Sequence, residues 1–126
     1  MLKIEAIIRP DKVEEIVDAL DELGHSGITK SEVEGHGKQK GIVEQFRGKE
    51  YRLSFIPKVK IELVVKDSQA ESIIKLITSI AYSGQIGDGK IFISEIKDVI
   101  RVRTNERGES ALKFWWSYFS FKELLK

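Results

Sequence analysis

Eleven residues constrain this chain more than any others: Ile56–Lys66, IPKVKIELVVK, places Val59, Ile61, Leu63 and Val65 on one side and Lys58, Lys60, Glu62 and Val64 on the other. A period of two reads as a half-buried strand, and a half-buried strand needs a layer to cover its apolar face. The flanking sequence supplies that layer. Leu2–Arg9 is a second strand candidate, and Pro10 suits a first helical turn. Val13, Ile16, Val17, Leu20 and Leu23 then recur at spacings of three and four, giving an amphipathic helix that Gly24 stops. Ile28–Glu34 reads as a further strand. Beyond Lys66, Ser68-Gln-Ala-Glu71 reads as a capping box, and Ile73, Ile74, Ile77, Ile80 and Ala81 form the apolar stripe of a second helix. A glycine loop, Ser83–Gly89, leads into a strand over Lys90–Ile96, with a short strand expected around Ile100–Arg103.

The resulting order, βαββαβ, predicts an α+β fold of the ferredoxin-like, split βαβ kind, with both helices on one sheet face. The opposite face keeps enough apolar side chains that self-association is expected. Between the second and third strands lies Gly35–Phe55, GHGKQKGIVEQFRGKEYRLSF. Loops in compact domains run to about 4–6 residues, and much longer ones usually carry function. Gly35, Gly37, Gly41 and Gly48 punctuate this one, and Tyr51 stands near its far end.

Composition closes off several classes of function. The chain has 126 residues, enough for one domain with a real core. Its 21 Lys and Arg against 20 Asp and Glu leave no field of the kind that drives nucleic-acid binding. With no cysteine, disulfides, thiolate nucleophiles and zinc–thiolate sites are out of reach. The sequence shows no secretory leader pattern and no apolar run near the roughly 20 residues that span a bilayer, so the expectation is a cytoplasmic protein.

Gly84–Lys90 fits G-x-x-x-x-G-K, yet Ile91 stands where a P-loop needs the hydroxyl that holds Mg²⁺, and the loop runs from helix to strand. A P-loop NTPase is rejected, while a loop that cradles phosphate in another way stays open beside a plain Gly-Asp-Gly turn. Arg101 and Arg103, two apart on the expected last strand, would share a face suited to phosphate oxygens. Lys58 and Glu62 also share a face, where a cross-strand charge ladder is the simpler reading. His25 and His36 have no serine, cysteine or metal-ligating partner at useful spacing, so no enzyme is expected. The chain ends in an aromatic run, Phe114–Phe121, holding six of the eleven aromatic residues. It suits packing on its own fold or a neighbouring subunit, partner docking, or peripheral recruitment to a membrane.

Several stretches together resemble the PII nitrogen-regulatory signal-transduction family: KIEAIIRP, SEVEGHGKQKG, RGKEY, PKVKIELVV, GDGKIFI and RVRT, in that order over residues 1–112. The resemblance implies a homotrimer of ferredoxin-like subunits that binds ATP or ADP between neighbours and senses 2-oxoglutarate with Mg-ATP. Gly87, Asp88, Gly89 and Lys90 would cradle phosphates, met by Arg101 and Arg103 across the subunit cleft. Ile7, Gly35, Glu62 and Val64 would surround the nucleoside and Thr29 would meet the adenine edge, with Gly27, Gly37 and Lys38 completing the nucleotide site. Gln39 would help hold Mg²⁺ and, with Lys40, Lys58 and Gly87, 2-oxoglutarate. The long loop would carry the signal to a target such as an ammonium transporter or a nitrogen-metabolism enzyme. Tyr51 stands where some bacterial members are uridylylated.

The match is not complete. Lys38 replaces a frequent arginine, Asn105 a common glycine, and residues 113–126 form an extension with no counterpart in the family pattern. An adenylate sensor without a 2-oxoglutarate response and a slow ATPase are the competing readings.

Overall fold

The computed structural model describes residues 1–25, 27–36, 43–46, 49–52 and 55–112, with segments 43–46 and 49–52 by backbone only. Six strands and two helices occur among them: β1 (Leu2–Ile8), α1 (Val13–Glu22), β2 (Thr29–Gly35), β3 (Val43–Phe46), β4 (Lys49–Arg52), β5 (Ile56–Val65), α2 (Asp67–Ala81) and β6 (Gly89–Glu95). Four strands make one antiparallel sheet in the order β2-β5-β1-β6, the ferredoxin-like arrangement that the pattern predicts. β3 and β4 form a separate two-stranded hairpin. The Gly35–Phe55 excursion is therefore not wholly irregular, because part of it satisfies its own backbone groups as a ribbon.

The strand alternation is realised as read. Val59, Ile61, Leu63 and Val65 are buried with Ile4, Ala6 and Ile8 of β1, under Ile16 and Leu20 of α1 and Ile73 and Ile77 of α2. Neither α1 nor α2 lies on the other sheet face. It carries Lys3, Glu5 and Ile7 opposite Val64, Glu62 and Lys60. On it Lys3 pairs with Glu5 at 2.6 Å and with Glu62 at 3.8 Å, and Lys60 with Glu62 at 3.0 Å. Neighbouring opposite charges raise the Lys3 pKa and lower that of Glu5, chiefly through their mutual hydrogen bond.

Details of the ends differ from the sequence expectation. Pro10 opens a single 3₁₀ turn, Pro10–Lys12, and the α-helix proper starts at Val13. Leu23 caps α1 and is 56% exposed, off the apolar stripe, because Gly24 at φ +86° turns the chain away. The helix ends with Gly24 N–H donating to Asp21 O and His25 N–H to Leu20 O. The capping box at Ser68 does not form. α2 begins two residues earlier, at Asp67 with Lys66 as its N-cap, and it is the Gln69 side chain that accepts from the Lys66 N–H at 3.4 Å.

The expected strand over Ile100–Arg103 is instead a tight turn. One bridge joins Ile100 to Arg107, Asn105 N–H donates to Arg101 O at 2.8 Å, and Arg101 N–H to Glu106 O at 2.9 Å. Asn105 sits at φ +60°, a conformation asparagine tolerates better than most residues, so it can stand where glycine would. Asp98 holds the turn's base, accepting from the N–H groups of Val99 and Gly108 and from Arg107. A 3₁₀ segment, Gly108–Leu112, follows.

Candidate functional site

The loop between α2 and β6 is ordered by one carboxylate. Asp88 Oδ2 accepts from the N–H groups of Ser83 and Gly84 at 2.8 and 3.0 Å, and Oδ1 accepts from the Ser83 hydroxyl and from Arg9 Nε at 3.2 Å. The Ser83 donors, with those of Gly84 and Arg9, hold this carboxyl far below the usual carboxylate range. Arg9 also donates through Nη2 to Ile86 O at 2.8 Å. The resemblance groups Asp88 with the phosphate cradle; here its carboxylate faces inward as the loop's organiser, and only its backbone is left to offer a ligand.

What the loop presents is mostly backbone with positive charge beside it. Gly84, Gly87 and Gly89 all have φ between +84° and +112°, which lets the chain curl without side chains in the way. Gly89 admits nothing else, because a Cβ there would lie 1.9 Å from the Ile7 carbonyl oxygen. Lys90 follows it, exposed, opposite Ile7 on β1. Lys58 reaches the loop from β5, its Nζ donating to Gly87 O at 2.5 Å. Partial burial, and next the charge of Arg9, lower the Lys58 pKa. The nearby carboxylates of Asp88 and Asp11 act the other way. Arg9 and Lys58 thus meet at the loop, Arg9 on Asp88 and Ile86 and Lys58 on Gly87, with Lys90 exposed at the start of β6.

Gly35 joins its edge. It pairs with Ile56, and a Cβ on it would meet Lys58 Cγ at 3.2 Å. Beyond it the ends of the long loop are pinned by an edge-to-face contact between His36 and Phe55, with ring centres 5.6 Å apart. Gly37, Lys38, Gln39 and Lys40 lie outside the described residues, as does the side chain of Tyr51, whose backbone is in β4.

A second cluster occupies the other end of the sheet. Lys3, Gly27, Thr29, Glu62, Leu63, Val64, Ala111 and Leu112 line a cavity of about 210 Å³. Thr29 stands opposite Glu62 in the β2–β5 register. Arg101 borders this cavity, donating through Nη2 to Ala111 O at 3.2 Å. Its Nε is buried and, among the described residues, has no hydrogen-bond partner, with Glu106 4.0 Å away. A buried orphan donor on a cation is a place where an anionic oxygen fits. Arg103 is exposed in the turn, so the two arginines are not a matched pair on a strand face.

The structure thus splits the expected nucleotide set in two. Ile7, Gly35, Gly87, Gly89 and Lys90 gather at one end; Gly27, Thr29, Glu62, Val64 and Arg101 gather at the other. Thr29 on β2 and Lys90 on β6 are three strand spacings and two residues of register apart, roughly 16 Å, while Ile7 and Glu62 lie on adjacent strands. Lys58 and Glu62, which share a face, belong to different halves. Among the described residues, no three His, Asp or Glu are grouped to hold a metal ion.

Sequence reasoning missed Arg9, although a cation closing the apolar run of β1 was a usable signal. It also missed the walls that Lys3, Ala111 and Leu112 give the cavity, for which no local signal exists.

Residues 1–106 match the family described as Nitrogen regulatory protein P-II. The chain is 52% identical over 112 residues to the Nitrogen regulatory protein P-II of Rhizobium meliloti (strain 1021), covering 89% of this chain and 100% of that protein. It is 46% identical over 112 residues to the Nitrogen regulatory protein GlnK of Escherichia coli (strain K12), again 89% and 100%. Its fold is similar to that of Arabidopsis thaliana PII bound to citrate, with TM-score 0.72, 44% identity and 90% of each chain covered. On its sequence, its fold and these relatives, the chain belongs to the P-II family of nitrogen regulatory proteins.

Proposed function

We propose that this protein is a non-catalytic nitrogen-status regulator, cytoplasmic, which reads ATP or ADP together with 2-oxoglutarate and passes the result through residues 37–54. The observation that carries the reading is that Lys58 and Arg9 both reach a loop whose backbone is pre-shaped by Asp88. Pre-shaping matters because a loop already held in its bound form needs little reorganisation when phosphate arrives.

The split site supports a homotrimer. One nucleotide touching both half-sites needs the phosphate half of one subunit against the base half of the next. In such a cleft the Gly87–Lys90 backbone and Lys90 would hold phosphates, and the orphaned Arg101 Nε would meet the same phosphates from the neighbour. Thr29, Glu62 and Val64 would surround the base. Mg²⁺ bound to the phosphates, with Gln39, would supply the electrophilic centre for a keto acid. Lys58 would turn a second N–H toward its carboxylate, with Lys40 alongside. The related plant protein in complex with citrate is in keeping with a carboxylate ligand. Because metal and phosphate complete the keto-acid site, binding of ATP and 2-oxoglutarate would be mutually reinforcing. Residues 1–112 form the sensing domain, and the loop would act on an ammonium transporter or a nitrogen-metabolism enzyme, with Tyr51 as a modification site within it.

Calorimetry tests this directly. ATP should bind alone, 2-oxoglutarate only with Mg-ATP, and Lys58→Met should abolish the second step while sparing the first. Heat from ATP without any from 2-oxoglutarate would leave an adenylate sensor. ATP hydrolysis that is unchanged in Lys90→Ala would not belong to this site.

A further inference from the structure

A groove of about 560 Å³ opens on the helical side of the sheet, between α1 and the start of β2. It shares no residue with the cavity at Thr29 or with the Ser83–Gly89 loop. One wall is a stripe of α1, where Glu14, Val17 and Asp21 fall three and four residues apart and stand over one another on one face. The facing wall is Ile28 and Lys30, at the head of the edge strand β2. Lys30 pairs with the buried Ile61, so its side chain leaves the sheet on the side of the helices. Its neighbour Thr29 serves the opposite face.

Size and lining suit a small molecule. Ligand pockets run to about 300–1,000 Å³, mostly apolar, with a few polar groups that fix orientation. Here Val13 is buried and Val17 and Ile28 are half-buried against the core, which gives the groove an apolar floor. Three charges border that floor. Glu14 and Asp21, two helical turns apart, are separated by about 10.5 Å along the helix axis. Among the described residues neither they nor Lys30 enter an ion pair, so the three charges share one groove without neutralising one another.

Two carboxylates flanking an apolar strip, with an ammonium across from them, are complemented by the opposite pattern. The ligand needs two cationic ends, an aliphatic chain between them and one anionic group. A diamine lacks the anion, and a neutral amino acid lacks the second cation. A free diamino acid has all three. Extended lysine, with a charge-assisted hydrogen bond of about 2.8 Å at each end, covers a span of the required order.

We propose that the groove between α1 and β2 binds a free diamino acid, its two cationic ends on Glu14 and Asp21, its carboxylate on Lys30 and its chain over Val17 and Ile28.

Calorimetry on the full-length protein with L-lysine tests this, beside three probes that each lack part of the pattern. Cadaverine has no carboxylate, norleucine has no distal ammonium, and lysine blocked at both its α-amino and carboxyl groups keeps only the distal charge. Lysine should bind about tenfold more tightly than any of them. Glu14→Gln and Asp21→Asn should each weaken lysine about tenfold, and Lys30→Met should weaken lysine while leaving cadaverine unchanged. All three side chains are exposed, so the variants should melt with the parent. No heat from lysine, or equal lysine affinity in the parent and all three variants, overturns the proposal. Blocked lysine binding as tightly as lysine also overturns it and makes the groove a docking site for a basic peptide.

Discussion

Among the described glycines whose surroundings are resolved, Gly89 makes the tightest backbone approach, and replacing it is the sharpest test of how the proposed phosphate half-site is built. In Gly89→Ala the new methyl would lie 1.9 Å from Ile7 O, 3.0 Å from its carbonyl carbon and 3.1 Å from Ile8 Cα. None of these atoms is a side-chain tip that can swing away. Ile7 and Ile8 belong to the central strand, paired on both sides with β5 and β6, so the start of β6 must peel off. A non-glycine residue at φ +112° costs about 1–3 kcal/mol, and forcing a methyl into packed structure a further 1–3 kcal/mol. Peeling caps the sum, giving about 3 kcal/mol, or a fall in melting temperature of about 12 °C for a domain of this size. Gly24→Ala is the control: its φ is +86° but nothing lies within 4 Å, so only the conformational cost of about 1–2 kcal/mol applies. Thermal unfolding by circular dichroism at matched concentration measures both. Equal destabilisation of the two variants would refute the argument that contact with β1 sets the cost. Triphosphate binding should also drop at least tenfold in Gly89→Ala, because Gly87 and Lys90 move with it.

Three further outcomes follow from the same geometry. Asp88 has a depressed pKa when folded, so its contribution to stability is complete above its ordinary value of about 3.9 and is lost as pH falls below that. Asp88→Asn should therefore flatten urea stability between about pH 4 and pH 3 relative to the parent, and parallel pH profiles would sink the loop-organising role. Arg9→Ala removes donors to Ile86 O and Asp88 and should weaken triphosphate binding several-fold at unchanged core stability, measured by calorimetry beside a melt. Ile61→Ala, at a fully buried position facing both helices, should cost about 2–5 kcal/mol in denaturant titration without selective loss of either ligand.

The differences between sequence and structure have local causes. The strand expected over Ile100–Arg103 failed because Asp98 captures the N–H groups of Val99 and Gly108, closing a turn that periodicity cannot register. The capping box at Ser68 failed because Lys66 already leaves the strand extended, so the helix starts two residues sooner and Gln69 takes the capping role. The loop's β3–β4 hairpin went unread because its residues alternate over only four positions on each side.

By itself the sequence determined the sheet's buried face, the two helices that cover it, the helix-to-strand glycine loop and the family. Each depends on residues near in sequence, where a period of two or 3.6 leaves a visible trace. Tertiary structure alone decided that Arg9 meets Asp88, 79 residues away, and that Lys58 meets Gly87. It also decided that the expected nucleotide residues divide between opposite ends of one sheet. Those facts follow from β1 lying between β5 and β6, since strand order, and not spacing along the chain, sets which side chains share a surface.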